Sequence, residues 1–98
     1  MAIPITEQAV CVKLPSLLLA QARGLPTLHV PSGTIDEVID ALEAQSPGLR
    51  FHLCLETGEL RPFVNVFLDG VNIRYLHGLE THVPAGATLV IMPSVAGG

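Results

Sequence analysis

The feature that most constrains the fold is one amphipathic helix set between β-rich segments. In the segment SGTIDEVIDALEAQSPG, Thr34 and Glu37 stand at the spacing of a capping box, in which the two side chains accept hydrogen bonds from backbone N–H groups at the helix start. Apolar residues then recur at helical spacing on one face, and acidic residues occupy the other. Pro47 and Gly48 are typical of a helix end. The sequence therefore predicts a helix that buries one face and leaves a solvated acidic face.

Short β-rich segments lie on both sides of this helix. Residues 9–14 and 27–30 are predicted as two strands that form a hairpin, and the segment between them is either a helical turn or a loop. After the helix, the β-rich residues 63–75 are divided by Asp69-Gly70, a strong hairpin signal, and residues 88–92 form a last strand. The order strand, strand, helix, strand, strand, strand predicts an α+β domain with one sheet packed on one helix.

Size and charge narrow the range of partners. A chain of 98 residues with 49% hydrophobic and 14% charged residues is expected to form one compact domain. The net charge is −4 and the five basic residues are scattered, so we expect no nucleic-acid partner. No apolar stretch approaches the ~20 residues that span a bilayer, and the first residues lack the pattern of a signal peptide. We expect a cytoplasmic protein without a membrane partner.

The side chains that could perform chemistry do not form a recognisable motif. Cys11 and Cys54 lie in apolar contexts, where a reduced cysteine behaves as a small hydrophobic residue. His52, His77 and His82 do not have the spacing of a zinc site and are interpreted as loop histidines. We expect no metal site and no catalytic constellation within the domain.

The end of the chain, LVIMPSVAGG, suggests a different kind of chemistry. Once ATP has converted a C-terminal carboxylate to an acyl-phosphate anhydride, sulfide, a thiol or an amine can attack it. Glycine has no Cβ, so Gly97 and Gly98 would pass through the narrow channel of an activating enzyme. A frayed chain end would also tolerate two glycines. The dipeptide alone therefore leaves both interpretations open.

The region from Phe63 to Gly98 favours the first of these two interpretations of the tail, because its pattern resembles that of a known family. Its pattern of strand, turn, strand, a Gly78-Leu79 turn and a last strand running into Pro93, Val95-Ala96 and Gly97-Gly98 resembles the ThiS/MoaD family of ubiquitin-like sulfur carriers. The similarity is greatest to members that donate sulfur for cysteine synthesis. The resemblance implies a β-grasp fold, in which a mixed sheet of four to five strands packs on one main helix. It also implies a β-grasp domain over residues 1–92 and a flexible tail over residues 93–98.

The resemblance further implies a thiocarboxylate cycle. An E1-like enzyme would use ATP to adenylate the carboxylate of Gly98, and sulfur would then replace the AMP. The carrier would bind no cofactor and would be a protein co-substrate, not an enzyme. The acceptor would be a PLP-dependent cysteine synthase, a thiazole synthase-like enzyme, the large subunit of molybdopterin synthase, or an enzyme of secondary metabolism.

Two surfaces are predicted to contact these partners. The first is the tail that precedes Gly98, namely Pro93, Ser94, Val95, Ala96 and Gly97. The second is an apolar face of the sheet. On the strand that begins near Phe63, alternation separates Phe63, Asn65 and Phe67 from Val64, Val66 and Leu68. Phe63 and Phe67 are the candidate docking residues, although the sequence does not establish which set faces outward.

Two other functions remain open at this stage. A ubiquitin-like modifier joined to lysines through Gly98 would need the same tail and the same activation. The single lysine, Lys13, is unfavourable to lysine-linked chains and so favours the carrier. The second alternative is an interaction domain with a disordered end, which would need no activation. The sequence does not identify the final sulfur acceptor.

Overall fold

The computed structural model describes residues 9–20 and 22–93, which form seven strands and two α-helices. The elements, in chain order, are β1 (Ala9–Lys13), β2 (Thr27–Pro31), β3 (Gly33–Thr34), α1 (Ile35–Gln45), α2 (Leu49–Leu53), β4 (Val64–Leu68), β5 (Val71–Asn72), β6 (His82–Val83) and β7 (Thr88–Pro93). Short 3₁₀ turns at Ser16–Leu18, Ile73–Tyr75 and Gly78–Glu80 connect them. The segment between the first two strands is therefore a helical turn followed by a loop.

The main helix α1 begins as its sequence predicts. The Thr34 hydroxyl accepts a hydrogen bond from the Glu37 N–H at 3.2 Å, and the Glu37 carboxylate accepts one from the Thr34 N–H at 2.9 Å. This reciprocal pair satisfies N–H groups that have no partner within the helix. The helix buries Ile35, Val38, Ile39 and Leu42 against the sheet.

Five strands form one mixed sheet in the order β2-β1-β7-β4-β5. β7 is its middle strand, paired parallel with β1 and antiparallel with β4. One face packs on α1 and α2, and the buried residues of alternating strand positions form a single core with the helices. This arrangement confirms the predicted α+β architecture and its one main helix.

The turn between β4 and β5 also follows the sequence. Leu68 pairs with Val71 across Asp69 and Gly70, whose φ angles are 45° and 89°. Positive φ at both central positions is the type I′ geometry that Asp-Gly favours in a hairpin. The prediction of this hairpin is confirmed.

Three features differ from the predicted arrangement. The short helix α2 was not predicted. His52 lies in this helix and His82 lies in β6, so the interpretation of these two as loop histidines is wrong. β3 and β6 form a separate two-stranded sheet. The strand after the hairpin ends at Asn72, because the Asn72 side chain accepts a hydrogen bond from the Arg74 N–H at 2.9 Å and turns the chain into a 3₁₀ turn.

Candidate functional site

The candidate site lies where the middle strand of the sheet ends. β7 remains paired up to Pro93, whose Cα partner is Val64 on β4. Pro93, which the sequence assigned to the tail, is therefore the last residue of the strand. The other predicted tail residues lie outside the described residues: Ser94, Val95, Ala96, Gly97 and Gly98. The structure thus shows where the segment that carries the two glycines begins.

An apolar cavity of about 130 Å³ adjoins this end of β7. The residues that line it are Pro15, Leu17, Leu18, His52, Leu53, Phe63, Val64, Ile91 and Pro93. Leu17 and Phe63 stand out at its rim with 70% and 57% of their surface exposed. Large exposed apolar side chains beside the exit of a chain end are the type of surface that a protein partner covers.

The structure also establishes which face of β4 is outward. Val64 and Val66 are 6% and 2% exposed and pack under the helices, whereas Asn65 and Phe67 are half-buried on the opposite face. On the neighbouring strands the outward positions are Cys11, His29, Thr88, Val90 and Met92. This face is not covered by any described element, in agreement with the prediction of an available sheet face.

The two predicted docking aromatics do not lie together. Phe63 precedes β4 in the turn at the tail end, while Phe67 pairs with Asn72 near the far end of the strand. Four residues of extended strand separate them by about 13 Å. Of the two aromatics, only Phe63 lines the cavity beside Pro93 at the end of β7.

Phe63 is held by a residue that the sequence analysis did not select. The Arg74 Nη2 lies 3.0 Å from the carbonyl oxygen of Arg61, 3.4 Å from that of Pro62 and 2.7 Å from that of Val64. These carbonyls belong to the turn that carries Phe63. The signal in the sequence was an arginine two residues after a capping asparagine, which is too common to indicate a role.

The remaining polar groups do not form a reaction centre in the part of the chain that the structure describes. Among residues 9–20 and 22–93, no three histidine, cysteine or acidic side chains are grouped as metal ligands. Cys54 is 3% exposed, and burial raises the pKa of its thiol, which keeps it protonated and unreactive. Cys11 is half-buried on the outward sheet face. Cys54 thus packs in the core, as predicted from its apolar context.

Comparison with known proteins identifies the family. A model described as the ThiS family matches residues 17–98, which include the cavity, the end of β7 and the tail. The chain belongs to the ThiS family. Proteins of this family are sulfur carriers, and they serve as co-substrates of enzymes without being catalysts themselves.

Individual ThiS-family relatives agree with this assignment. The chain is 32% identical to the sulfur carrier protein CysO of Mycobacterium tuberculosis over 91 residues, covering 91% of this chain and 98% of that one. It superposes with a TM-score of 0.85 on the crystal structure of a BexX/CysO complex from Amycolatopsis orientalis, at 36% identity and with 92% and 100% of the two chains covered. It is also 38% identical over 65 residues to small archaeal modifier protein 3 of Haloferax volcanii, covering 66% of this chain and 70% of that one.

These matches confirm the resemblance noted from the sequence, and the family accounts for the ubiquitin-like β-grasp fold of this chain. The ThiS-family chain therefore carries sulfur and does not convert a substrate in a pocket of its own. No helix among the described residues is long and apolar enough to cross a membrane.

Proposed function

We propose that the carboxylate of Gly98 is the group that carries sulfur. An E1-like enzyme transfers AMP from ATP to this carboxylate and releases pyrophosphate. A sulfur nucleophile then attacks the acyl carbon and displaces AMP, which leaves a C-terminal thiocarboxylate. ATP is consumed by the activating enzyme, and the carrier itself binds no cofactor.

The observation that carries this proposal is the continuity of the ThiS-family match through the Gly97-Gly98 end. The geometry of the body is consistent with it, because β7 lies between two neighbouring strands and pairs with β4 up to Pro93, five residues before Gly98. Five residues after Pro93, extended at about 3.3 Å each, would reach roughly 17 Å. That length suits insertion into a partner's active site while the body remains outside.

The partner that accepts the sulfur is proposed to be a biosynthetic enzyme docked on the same end of the carrier. The Amycolatopsis relative forms a complex with BexX, which supports a stable partner interaction in carriers of this build. Cysteine, thiamin, molybdopterin and sulfur-containing secondary metabolites remain the candidate products. The carrier presents the same thiocarboxylate to each acceptor, so the acceptor enzyme determines the product.

The test is incubation with an E1-like activating enzyme, ATP and sulfide, followed by intact-mass measurement. The expected product has one oxygen replaced by one sulfur, and omission of ATP abolishes it. Recovery of the unmodified mass under conditions that convert a known carrier would contradict the proposal.

A second function is favoured by one observation. The similarity to small archaeal modifier protein 3 suggests conjugation of Gly98 to lysines of other proteins. Both functions begin with the same adenylate and then differ in the nucleophile. Isopeptide-linked products that retain the Gly97-Gly98 remnant on a target lysine would identify the modifier, whereas the thiocarboxylate identifies the carrier.

A further inference from the structure

The turn that contains Phe63 lies at the start of β4, on the side of β4 where β5 no longer pairs with it. β5 pairs with β4 only at Phe67↔Asn72 and Leu68↔Val71. Nearer the tail, the described residues provide no further strand on that side of β4. The Val64 carbonyl at the start of β4 therefore has no ladder partner on this side among the described strands, and a carbonyl in a buried residue is normally paired.

The Arg74 guanidinium donates hydrogen bonds to carbonyl oxygens where no strand pairs with β4. Its Nη2 lies within hydrogen-bond distance of three carbonyl oxygens, those of Arg61, Pro62 and Val64. The Arg61 carbonyl also accepts a hydrogen bond from the Val64 N–H at 3.0 Å, which closes the four-residue turn. Arg74 thus ties both ends of the turn whose third residue is Phe63.

Arg74 is itself fixed in position by its own element. The Asn72 side chain accepts from the Arg74 N–H at 2.9 Å, and the Asn72 amide donates to the Asn65 side chain at 3.3 Å on β4. Ile73 between them is 1% exposed and anchors the 3₁₀ turn in the core. A planar guanidinium on such an anchor can address several acceptors at once, which the point charge of a lysine does less well.

We propose that Arg74 is a positioning residue for partner docking, because it holds the turn from Arg61 to Val64 so that Phe63 stands preorganised beside the exit of the tail. This inference rests on the proposed function, since it assumes that the activating enzyme closes over the tail exit. Phe63 contacts the partner and Arg74 does not need to do so. A rigid aromatic side chain binds with less ordering cost than one on a loose turn.

The test compares Arg74→Gln with a matched control, Arg50→Gln. Arg50 also forms several hydrogen bonds, to Asp36 and Asp40 on α1 at 3.2 and 2.6 Å, but these lie on the helix side of the molecule. Both variants lose one positive charge and a set of hydrogen bonds. Each carrier is supplied to the activating enzyme with ATP and sulfide, and KM for the carrier and kcat at saturation are measured.

We expect Arg74→Gln to raise KM at least about tenfold, the scale of a weakened central aromatic contact. kcat should stay within about twofold, because the tail itself is unchanged. In the same variant, hydrogen exchange at the Val64 amide should become faster, while Arg50→Gln should change neither KM nor that amide. Arg74→Lys keeps the positive charge but loses the planar guanidinium. In this variant KM should rise in proportion to the faster hydrogen exchange at the Val64 amide.

Three results would overturn the inference. The first is an unchanged KM in Arg74→Gln although the Val64 amide exchanges faster. The second is an equal rise in KM in the Arg50→Gln control. The third is full recovery of KM in Arg74→Lys with the turn still released. Failure of the unmodified carrier to react at all would contradict the proposed function instead, so the two failures are distinguishable.

Discussion

Removal of Gly98, or replacement of Gly97 by valine, is expected to abolish thiocarboxylate formation without affecting the fold. Glycine has no side chain to pack, and the described core residues lie between Val10 and Ile91. The thermal midpoint of both variants should therefore equal that of the parent. Any loss of reaction would then report on the tail alone.

The magnitude follows from how firmly β7 is held. Leu89 and Ile91 are 1% and 4% exposed, and a slip of one residue would turn both toward the outward face of the sheet. β7 therefore cannot slide to replace lost length. A tail one residue shorter places the carboxylate roughly 3.5 Å short of the activating nucleotide. Since a misplacement of 1 Å can cost about a hundredfold in rate, we expect a loss of at least that size.

Gly97→Val should have a similar effect for a steric reason. A β-branched side chain would enter a channel that fits only backbone atoms. The assay is intact-mass measurement after incubation with activating enzyme, ATP and sulfide. Deletion of Ala2 is the matched control, because β1 runs parallel to β7 and the chain enters the sheet at the opposite end from Pro93. Conversion within tenfold of the parent in either tail variant would refute the reasoning.

The remaining predictions concern the body of the domain. Replacing Cys11 and Cys54 together by alanine should lower the free energy of unfolding by about 1 kcal/mol per site, the usual size for a point substitution. Sulfur loading should stay intact, and its loss in the folded variant would indicate a persulfide route. Thr34→Ala removes half of the capping box and should cost about 1 kcal/mol in urea unfolding, with loading unchanged, and an unaltered urea midpoint would contradict this. Hydrogen bonds from the N–H groups of Arg50 and Gly48 lower the pKa of the Glu43 carboxyl below its ordinary value of 4.5. The stabilisation by Glu43 is therefore present above that value and lost as the pH falls through the lowered pKa. Glu43→Gln should make the free energy of unfolding less pH-dependent below about pH 5. Parallel plots of this free energy against pH for parent and variant would be evidence against the prediction.

Local signals in the sequence were sufficient for the main helix and the hairpin. The Thr34 and Glu37 side chains act on backbone groups three residues away, so their spacing alone specifies the helix start. Asp69-Gly70 likewise encodes a backbone conformation within two residues. Such short-range interactions can be predicted because every participant lies within one short stretch of sequence.

The features that were missed depend on contacts between segments. α2 starts where the Glu43 carboxylate accepts hydrogen bonds from the Gly48 N–H at 3.1 Å and the Arg50 N–H at 2.9 Å. Here the capping side chain belongs to α1, not to the residue before α2, so the usual capping pattern is absent from the sequence. The pairing of β3 with β6 joins residues about fifty positions apart and leaves no periodic trace in two-residue strands.

The choice of which face of β4 is outward also depends on contacts between segments. Alternation predicted that Phe63, Asn65 and Phe67 form one set, but the choice between the two faces of the sheet depends on where the helices lie. Val64 and Val66 are buried because α1 and α2 cover that side of the sheet. The role of Phe63 and Phe67 in docking stays a prediction, and their separation into a turn residue at the tail end and a distal strand residue required the structure.

The position of β7 suits the chemistry that we propose for the chain end. An edge strand frays more readily than a central one, so the start of a tail that follows an edge strand would change position as that strand opened. β7 pairs with β1 at Thr88–Val90 and with β4 up to Pro93, and its inward residues are in the core. Its last residue, Pro93, also lines the apolar cavity with Leu17 and Phe63 at the rim. A partner that binds this rim therefore contacts a surface whose position relative to Pro93 is fixed by the core, and the carboxylate proposed to react belongs to a residue only five positions further along the chain.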